Sequence, residues 1–386
     1  MTRLVAGVTL LAMLLPAGAS PRVSVYDLKV LPSERVVRTD PQTGARLEFI
    51  STSKDRDNNL YFHQRSFVPD DSLALFTRNG ALMGYVCATG ELVRISTPSG
   101  GVGLAVVAKT RSSVYCARGK DILELALQVK TAGARGPSRV TCTERLITTL
   151  DDRYAPQTFL SESCDGRSLA MGTTLPDGQK SIIGIDVRSG RVRDITIVPA
   201  KDYAVHVQYS HTDPHVLSYA GIRNRLMLVD TRTGARRPMY RERPGELVTH
   251  ESWWVKDQMV FCGGHRKEES HVKVLDVHTG VVRIIGAGAW WPEGTPREVS
   301  KWNWWHACAD DAGRYVVADN WHGDIVAFDA QTTRAIPITH GHRKYGGAGF
   351  GQSDHPHVGW DRSGKRVIFT STINGTPDVV VATIPE

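Results

Sequence analysis

Asp186-Val-Arg-Ser-Gly190 is a short phrase that recurs along the chain and decides its fold. In each copy a hydrophobic run ends at an Asp, a turn with Gly or Thr follows, and a second hydrophobic run begins. The Asp and Ser or Thr side chains can bond to the turn backbone, and Gly supplies the positive φ of a tight hairpin. Further copies lie at residues 40–44, 230–234, 276–280 and 329–333, with degenerate copies near 87–90 and 128–132.

A second hairpin phrase alternates with the first, at residues 67–76, 163–170, 309–317 and 360–369. Two hairpins per repeat give four strands, and seven copies lie about 44 to 55 residues apart. Four-stranded units at this period are typical of β-propellers, and seven even units fit an array of β-sandwiches less well. We therefore predict an all-β, seven-bladed β-propeller with four-stranded antiparallel blades. It forms a single domain over residues 21–386, and the segment around Asp40 supplies the strand that closes the ring.

Residues 1–20 have the features of a secretory signal peptide. Arg3 provides a positive start, an apolar run extends from Leu4 to Leu15, and Ala17-x-Ala19 is a cleavage pattern. The run is too short to span a bilayer, and no other segment approaches eighteen apolar residues. We therefore expect a periplasmic or secreted protein without a membrane span in its mature form.

Six cysteines and a net charge of +7 complete the composition. An exported protein can form disulfides, so we expect one or two bridges; Cys87 with Cys116 is one conceivable pair. Lys and Arg are scattered without a run of five, which argues against a nucleic-acid partner. A mildly basic surface suits an acidic substrate such as a polyanionic sugar.

Gln352-Ser-Asp-His355-Pro-His357 offers two imidazoles and an amide oxygen within six residues. Side chains two apart on an extended strand point to the same face, and Pro356 stiffens the chain between them. Imidazole is the commonest metal ligand in proteins, and an amide oxygen suits a harder divalent ion. The pattern favours a metal site that takes a further ligand from elsewhere in the fold; a plain loop before a strand is the alternative.

Four histidines fall at matching positions of different repeats: His206, His250, His306 and His357. Each precedes an Asp turn, near the start of the strand that would line the central channel. The propeller therefore predicts that they meet at the mouth of this channel, although they lie about fifty residues apart in sequence. For His206 we favour a structural role within a blade.

Several of these motifs together resemble the oligogalacturonate lyases, seven-bladed propellers that break uronate oligosaccharides by β-elimination. The resemblance spans most of the mature chain and is best in its last 170 residues. It rests on Gln352-x-x-His355-x-His357, on His306 with the hairpin from Asp310 to Asp319, on His250-Glu-Ser-Trp-Trp, on Arg225-Leu-Met-Leu-Val-Asp230 and on residues 59–67.

The resemblance implies a site for a divalent metal of the manganese type, Mn²⁺, made by His306, Gln352, His355 and His357. It also implies His250 as the base that abstracts a proton, Arg225 as a catalytic or substrate-binding residue, and an acidic oligosaccharide as the substrate. Two features depart from the family: the export signal, since members are usually cytoplasmic, and the long aromatic segment between His250 and His306.

Aromatic and acidic residues flank the histidines. Two pairs of adjacent tryptophans, Trp253-Trp254 and Trp304-Trp305, flank His250 and His306. Trp254 and Trp305 offer flat faces that suit sugar rings, and packing is the alternative for at least one tryptophan of each pair. Glu251 or Asp354 would orient a ligand histidine from behind.

Two other classes of function compete with a lyase. A non-catalytic periplasmic propeller similar to TolB would share the hairpins and needs no convergent histidines. A serine hydrolase would need a G-x-S-x-G elbow and an α/β domain, and the sequence contains no such domain.

Overall fold

The computed structural model describes residues 23–132, 136–265, 269–288, 303–343 and 354–385. Within these ranges the chain forms antiparallel strands and a single-turn 3₁₀ segment, Val255–Asp257, with no α-helix. The segment predicted as a signal peptide, residues 1–20, lies outside them. The first four strands are β1 (Val23–Asp27), β2 (Lys29–Leu31), β3 (Val36–Thr39) and β4 (Arg46–Phe49).

Seven blades follow in chain order, as predicted. Blade 1 comprises β5 (Asp57–Asn59), β6 (Leu73–Arg78), β7 (Ala81–Val86) and β8 (Leu92–Arg94). A two-stranded ribbon follows, made of β9 (Ser96–Thr97) and β10 (Gly100–Gly101). Blade 2 comprises β11 (Gly103–Val107), β12 (Ser113–Arg118), β13 (Asp121–Lys130) and β14 (Arg139–Thr149). Blade 3 comprises β15 (Ala155–Pro156), β16 (Ser161–Glu162), β17 (Ser168–Thr174), β18 (Lys180–Asp186) and β19 (Val192–Val198). Blade 4 comprises β20 (Val205–Tyr209), β21 (Val216–Ala220), β22 (Leu226–Asp230) and β23 (Arg236–Pro238).

The remaining three blades carry most of the predicted site. Blade 5 comprises β24 (Glu246–Trp253), β25 (Gln258–His265), β26 (His271–Asp276) and β27 (Val282–Gly286). Blade 6 comprises β28 (Trp304–Ala309), β29 (Tyr315–Asn320), β30 (Ile325–Asp329) and β31 (Ala335–Thr339). Blade 7 begins with β32 (Gly359–Trp360), β33 (Arg366–Ser371) and β34 (Asp378–Thr383).

The N-terminal strands close the ring, as the position of Asp40 predicted. β4 pairs with β34, with Leu47 opposite Ala382, and β3 pairs with β4 on its outer side. β1 and β2 pair with the outer strands β14 and β8. Blades 1, 2 and 7 therefore have five strands rather than the predicted four, because the N-terminal segment covers edges that would otherwise be exposed. Blade 3 also has five, because two short strands, β15 and β16, both pair with β17.

Hydrophobic cores between neighbouring blades hold the ring together. Successive residues of a strand point to opposite faces, so Met259 and Phe261 of β25 face blade 4 while Val260 and Cys262 face blade 6. Seven buried clusters result, one at each blade interface, including the interface between blades 7 and 1. The cores therefore form a complete circuit.

The recurring Asp phrase forms the predicted hairpin turns. Asp186 Oδ1 accepts the backbone N–H groups of Arg188 and Ser189 at 3.1 and 2.7 Å. Gly190 has a φ of +70°, and a Cβ atom there would lie 2.3 Å from the carbonyl oxygen of Ile147 in the preceding blade. The glycine therefore serves both the turn and the close approach of two blades.

All six cysteines are free thiols, so the expectation of one or two disulfides is wrong. Four of them are buried and pack in the interblade cores as small apolar side chains. Cys116 and Cys142 share one core, yet strand β13 lies between their strands. Within the described ranges, no helix has the length and apolar character needed to cross a bilayer.

Candidate metal centre

Three histidines from blades 6 and 7 converge where the inner strands begin. His306, His355 and His357 each present a nitrogen, and these nitrogens all lie within 4.8 Å of one another. The ring centroid of His306 is 4.4 Å from that of His357 and 5.3 Å from that of His355. All three side chains are buried. The structure thus brings His306 to the pair beside Pro356, as the propeller prediction required.

Irregular backbone geometry aims the histidines at the channel. His206, His250 and His357 have left-handed backbones, with φ of 52°, 54° and 50°. Strand pairing shifts register beside His206, His250 and His306. A left-handed non-glycine residue is uncommon, and a bulge re-aims the side chain that it carries. The bulges therefore take these imidazoles out of the ordinary alternation of a strand.

Asp319 of β29 fixes the orientation of this group from behind. Its carboxylate accepts the backbone N–H of His306, the backbone N–H of His357 and Nδ1–H of His306, each at 2.9 Å. Burial raises the pKa of Asp319 to about 8, against the lowering effect of these backbone bonds, and a cation among the histidines would favour the ionised carboxylate. A carboxylate bonded to one ring nitrogen leaves the other nitrogen directed at a metal, the usual arrangement behind a histidine ligand.

The imidazole nitrogens of these three histidines suit a metal ion for two reasons: their protonation state and the absence of hydrogen-bond partners for two of them among the described residues. Nε2 of His306 and Nε2 of His357 are buried and have no hydrogen-bond partner among the described residues. Burial, helped by neighbouring charges, lowers the pKa of His355 to about 2 and that of His357 to about 3. The imidazoles are therefore neutral at neutral pH and have lone pairs to donate, so the residues present fit a divalent ion. The fourth predicted ligand, Gln352, lies outside the described residues.

Replacing Asp319 by asparagine is expected to weaken metal binding about 10- to 100-fold, the usual cost of losing a partner behind a ligand. The amide has one acceptor oxygen where the carboxylate has two, so one buried N–H group loses its partner. Isothermal titration with Mn²⁺ measures the effect. Asp324→Asn is the matched control, because Asp324 is a buried carboxylate of the same blade that accepts the N–H of Gly341. Equal Mn²⁺ affinity for Asp319→Asn and the unmodified protein would contradict the assigned role.

His250 lies beside the three histidines. Its ring centroid is 4.1 Å from that of His306 and 5.0 Å from that of Trp305. Nδ1 of His250 shares a hydrogen bond of 2.8 Å with Oγ1 of Thr249. Burial, with the charges of His206 and Arg225, holds the pKa of His250 well below its usual value. A neutral imidazole is therefore available next to the candidate ligands.

Glu251 anchors Arg225 and His206 on the other side of His250. The buried carboxylate lies 2.9 Å from Nδ1 of His206 and accepts Nε–H of Arg225 at 3.0 Å. Burial alone would raise the pKa of Glu251, but Arg225 and His206 lower it well below its usual range. His206 thus belongs to the site, and Glu251 orients His206 rather than a ligand of the proposed metal. The other candidate, Asp354, forms an ion pair with Arg56 at 3.2 Å.

An aromatic loop, which entered the sequence analysis only as part of the resemblance at residues 59–67, lies against these histidines. Between β5 and β6, the ring of Tyr61 lies 4.8 Å from that of His357 and 5.4 Å from that of His206. Phe62 lies 5.4 Å from both His250 and His306. The sequence signal was present, because Tyr, Phe and His occur in succession at residues 61–63, but local pattern does not show where this loop inserts.

The two tryptophans predicted to bind substrate lie in different surroundings. Trp305 is half-buried beside His250 and 4.9 Å from the ring of Trp321. Trp254 is buried in the core between blades 5 and 6, and its Nε1–H donates to the carbonyl of Asp310 at 2.9 Å. Trp254 lies four residues beyond His250, at the end of the inner strand, and its predicted contact with substrate stays a prediction.

Comparison with solved structures supports the fold that the motifs indicated. An oligogalacturonate lyase in complex with manganese matches with a TM-score of 0.75 and 15% identity, over 93% of this chain and 98% of its own. An oligogalacturonate lyase from Vibrio parahaemolyticus matches with a TM-score of 0.72 and 15% identity, over 94% of this chain and 98% of its own.

The same architecture also occurs in other propellers. The β-propeller domain of Cps50 (Swd1) from Myceliophteria thermophila matches with a TM-score of 0.54 and 10% identity, over 91% of this chain and 99% of its own. No protein-family profile matches the chain, and a search of curated proteins found no match. At these identities the similarity establishes the propeller fold, and function has to be argued from the site.

Proposed function

We propose that this protein is a metal-dependent polysaccharide lyase that cleaves uronate oligosaccharides, of the oligogalacturonate type, by β-elimination. The observation that carries the proposal is the group of His306, His355 and His357, with buried Nε2 atoms of His306 and His357 left unpartnered among the described residues, directly beside His250. The names of two similar structures, an oligogalacturonate lyase with manganese among them, support the substrate class and Mn²⁺ as the ion.

In the proposed reaction a base takes the C5 proton of a uronate, which lies next to a carboxylate. The C4–O bond breaks, a C4=C5 double bond forms, and the departing oxygen takes up a proton from water. A divalent ion held by His306, His355 and His357 would neutralise the carboxylate and stabilise the negative charge that develops as the proton leaves. Histidine ligands carry no negative charge of their own, so they leave the charge of the ion available to an anionic substrate.

His250 is the proposed base. With Nδ1–H donated to Thr249, its Nε2 lone pair is the proton acceptor. The lowered pKa keeps the ring unprotonated before substrate binds. A bound anion would offset the positive charge of Arg225, which raises the pKa of His250 and strengthens it as a base.

Arg225 is the proposed contact for a second carboxylate. Glu251 holds its Nε edge at 3.0 Å, so the guanidinium is fixed before substrate arrives. Trp305, beside His250, provides an aromatic face for a sugar ring, and the net charge of +7 favours an acidic oligosaccharide.

We further propose that the protein is exported to the periplasm or secreted, on the strength of residues 1–20. A lyase in that location would meet oligosaccharides before import. Sequencing the N-terminus of the protein recovered from outside the cytoplasm tests this proposal, and an uncleaved cytoplasmic chain would contradict it.

The function is tested by following the ultraviolet absorbance of the unsaturated product during incubation with galacturonate oligomers. We expect product with Mn²⁺ and none after treatment with a chelator. The same assay distinguishes the lyase from a non-catalytic propeller that acts as a binding platform. No unsaturated product from any uronate oligomer, with or without metal, would favour the platform.

A further inference from the structure

A cavity of about 380 Å³ lies beside the aromatic loop, and residues 62–65 of the loop are among those that line it. Gln208, Ser252 and Cys308 line it as well, each two residues after one of the channel histidines on the same inner strand. Phe62 contacts both the cavity and the rings of His250 and His306. At a strand rise of ~3.3 Å per residue, the strand walls of the cavity lie farther along the channel than the histidines.

Four cationic residues line this cavity: the exposed Lys256 and three from other parts of the fold. Arg65 comes from the aromatic loop, Lys109 from the turn after β11, and Arg362 from the turn between β32 and β33. All three act on His211, whose pKa is lowered well below its usual value by burial and then by these charges. The two arginines also lower the pKa of Lys109, so the three cations lie close enough to repel one another.

Three carboxylates also line the cavity, those of Glu162, Asp310 and Asp311, and the buried Glu162 Oε1 and Asp310 Oδ2 have no hydrogen-bond partner among the described residues. Asp311 serves both arginines: it accepts a hydrogen bond from Arg65 Nη2 and lies 3.6 Å from Arg362 Nη1. Glu162 accepts the backbone N–H of Lys109 at 2.6 Å and lies 3.6 Å from Arg111. Neither carboxylate makes a hydrogen bond with the ammonium group of Lys109 among the described residues.

Two cationic donors therefore have unused capacity at the cavity. Lys109 Nζ makes one hydrogen bond among the described residues, a long one of 3.4 Å to the carbonyl of Ser210. Arg362 Nη2 is buried and has no hydrogen-bond partner within the described ranges. Burial lowers the pKa of Lys109 to about 8, only partly offset by Glu162, as expected for an ammonium that has lost water without gaining a full counter-charge.

We propose that this cavity is a binding site for a small oxyanion, a carboxylate or a phosphate, held by Lys109 and Arg362. An anionic oxygen there would accept from the donors that now lack partners, and charge-assisted bonds are the strong ones. The volume is in the range of small-molecule sites, ~300–1,000 Å³, and accommodates an acidic monosaccharide as well as free phosphate. The proposal is independent of the lyase function, because it uses none of the residues placed at the metal centre.

Isothermal titration of the metal-free protein tests the site with three probes: sodium phosphate, sodium galacturonate and neutral galactose. We expect binding of phosphate, galacturonate or both, and none of galactose. Lys109→Gln should weaken oxyanion binding about tenfold or more, since a bond to a charged donor is lost, and Lys109→Arg should retain most of it. Lys365→Gln is the control: it removes the same charge from an exposed residue in the turn that carries Arg362, and affinity should not change.

The relative affinities for phosphate and galacturonate identify which oxyanion the cavity prefers. The absence of binding for both anions would overturn the proposal, as would equal affinities in Lys109→Gln and the unmodified protein. A third contrary result is binding that His355→Ala abolishes and Lys109→Gln leaves intact, because the anion would then lie at the metal centre. Thermal unfolding of each variant confirms that a lost signal reflects the site rather than the fold.

Discussion

Alanine in place of His250 is expected to lower the rate of product formation from uronate oligomers by about 10²- to 10⁴-fold, the usual contribution of a positioned base. The imidazole lies 4.1 Å from His306, centroid to centroid, and its Nδ1 is held by Thr249, so its position is set before substrate binds. His250 is outside the group of three converging nitrogens. Metal affinity should therefore stay within about twofold of the unmodified protein, given by Mn²⁺ titration alongside the kinetic assay.

His278→Ala is the matched control for this experiment. His278 belongs to the same blade, its side chain is 70% exposed, and it pairs with Asp257 at the surface. Turnover should be unchanged in that variant. If His250→Ala kept full turnover, or lost metal together with turnover, His250 would be a structural or ligating residue and the proposed base would have to be sought elsewhere.

The blades were predictable because their signals are local. An Asp followed by a positive-φ Gly, as at Asp186 and Gly190, specifies a hairpin within five residues, and repetition of the hairpin specifies the propeller. Closure was predictable from the leftover copy near Asp40, which had no partner in its own vicinity. The pairing of the extra strands β1 and β2 could not be predicted from the sequence. An edge strand pairs with whichever outer strand the chain runs beside, and no local sequence pattern specifies that strand.

The convergence of the histidines followed from the fold, but their supporting contacts did not. Asp319 lies opposite His306 in the β28–β29 pair, so counting along the hairpin from Asp310 would have located it. Sequence reasoning instead chose Glu251, the neighbour of His250, or Asp354, the neighbour of His355. Glu251 reaches Arg225 and His206, and Asp354 pairs with Arg56.

Alternation also explains the outcome for the tryptophans. Trp253 packs in the core with blade 4 and Trp254 in the core with blade 6, as neighbours on one inner strand must. Trp305 reaches His250 because it lies at the register shift between Trp304 and His306. The irregular positions of a regular fold thus carry the candidate site, and a pattern of period two cannot predict side-chain direction at a bulge.

His355→Ala is expected to weaken Mn²⁺ binding at least ~100-fold, because the substitution removes a donor atom itself. Loss of a residue that only orients a ligand typically weakens metal binding ~10- to 100-fold. His355 is the best of the three for this test. His306 is bonded to Asp319 and His357 has a left-handed backbone, so replacing either also disturbs the fold. Equilibrium dialysis followed by elemental analysis measures the bound metal.

His340→Ala is the control, since His340 lies in the same region, partly exposed and 3.5 Å from Asp324, but outside the converging group. Metal content should be unchanged there, and turnover should fall with metal content in His355→Ala. The two losses would then separate: His250→Ala keeps the ion and loses the reaction, whereas His355→Ala loses both. Full Mn²⁺ affinity in His355→Ala would mean that the ion does not lie between these imidazoles. An ion elsewhere could not neutralise a carboxylate beside His250, and the proposed β-elimination would be contradicted.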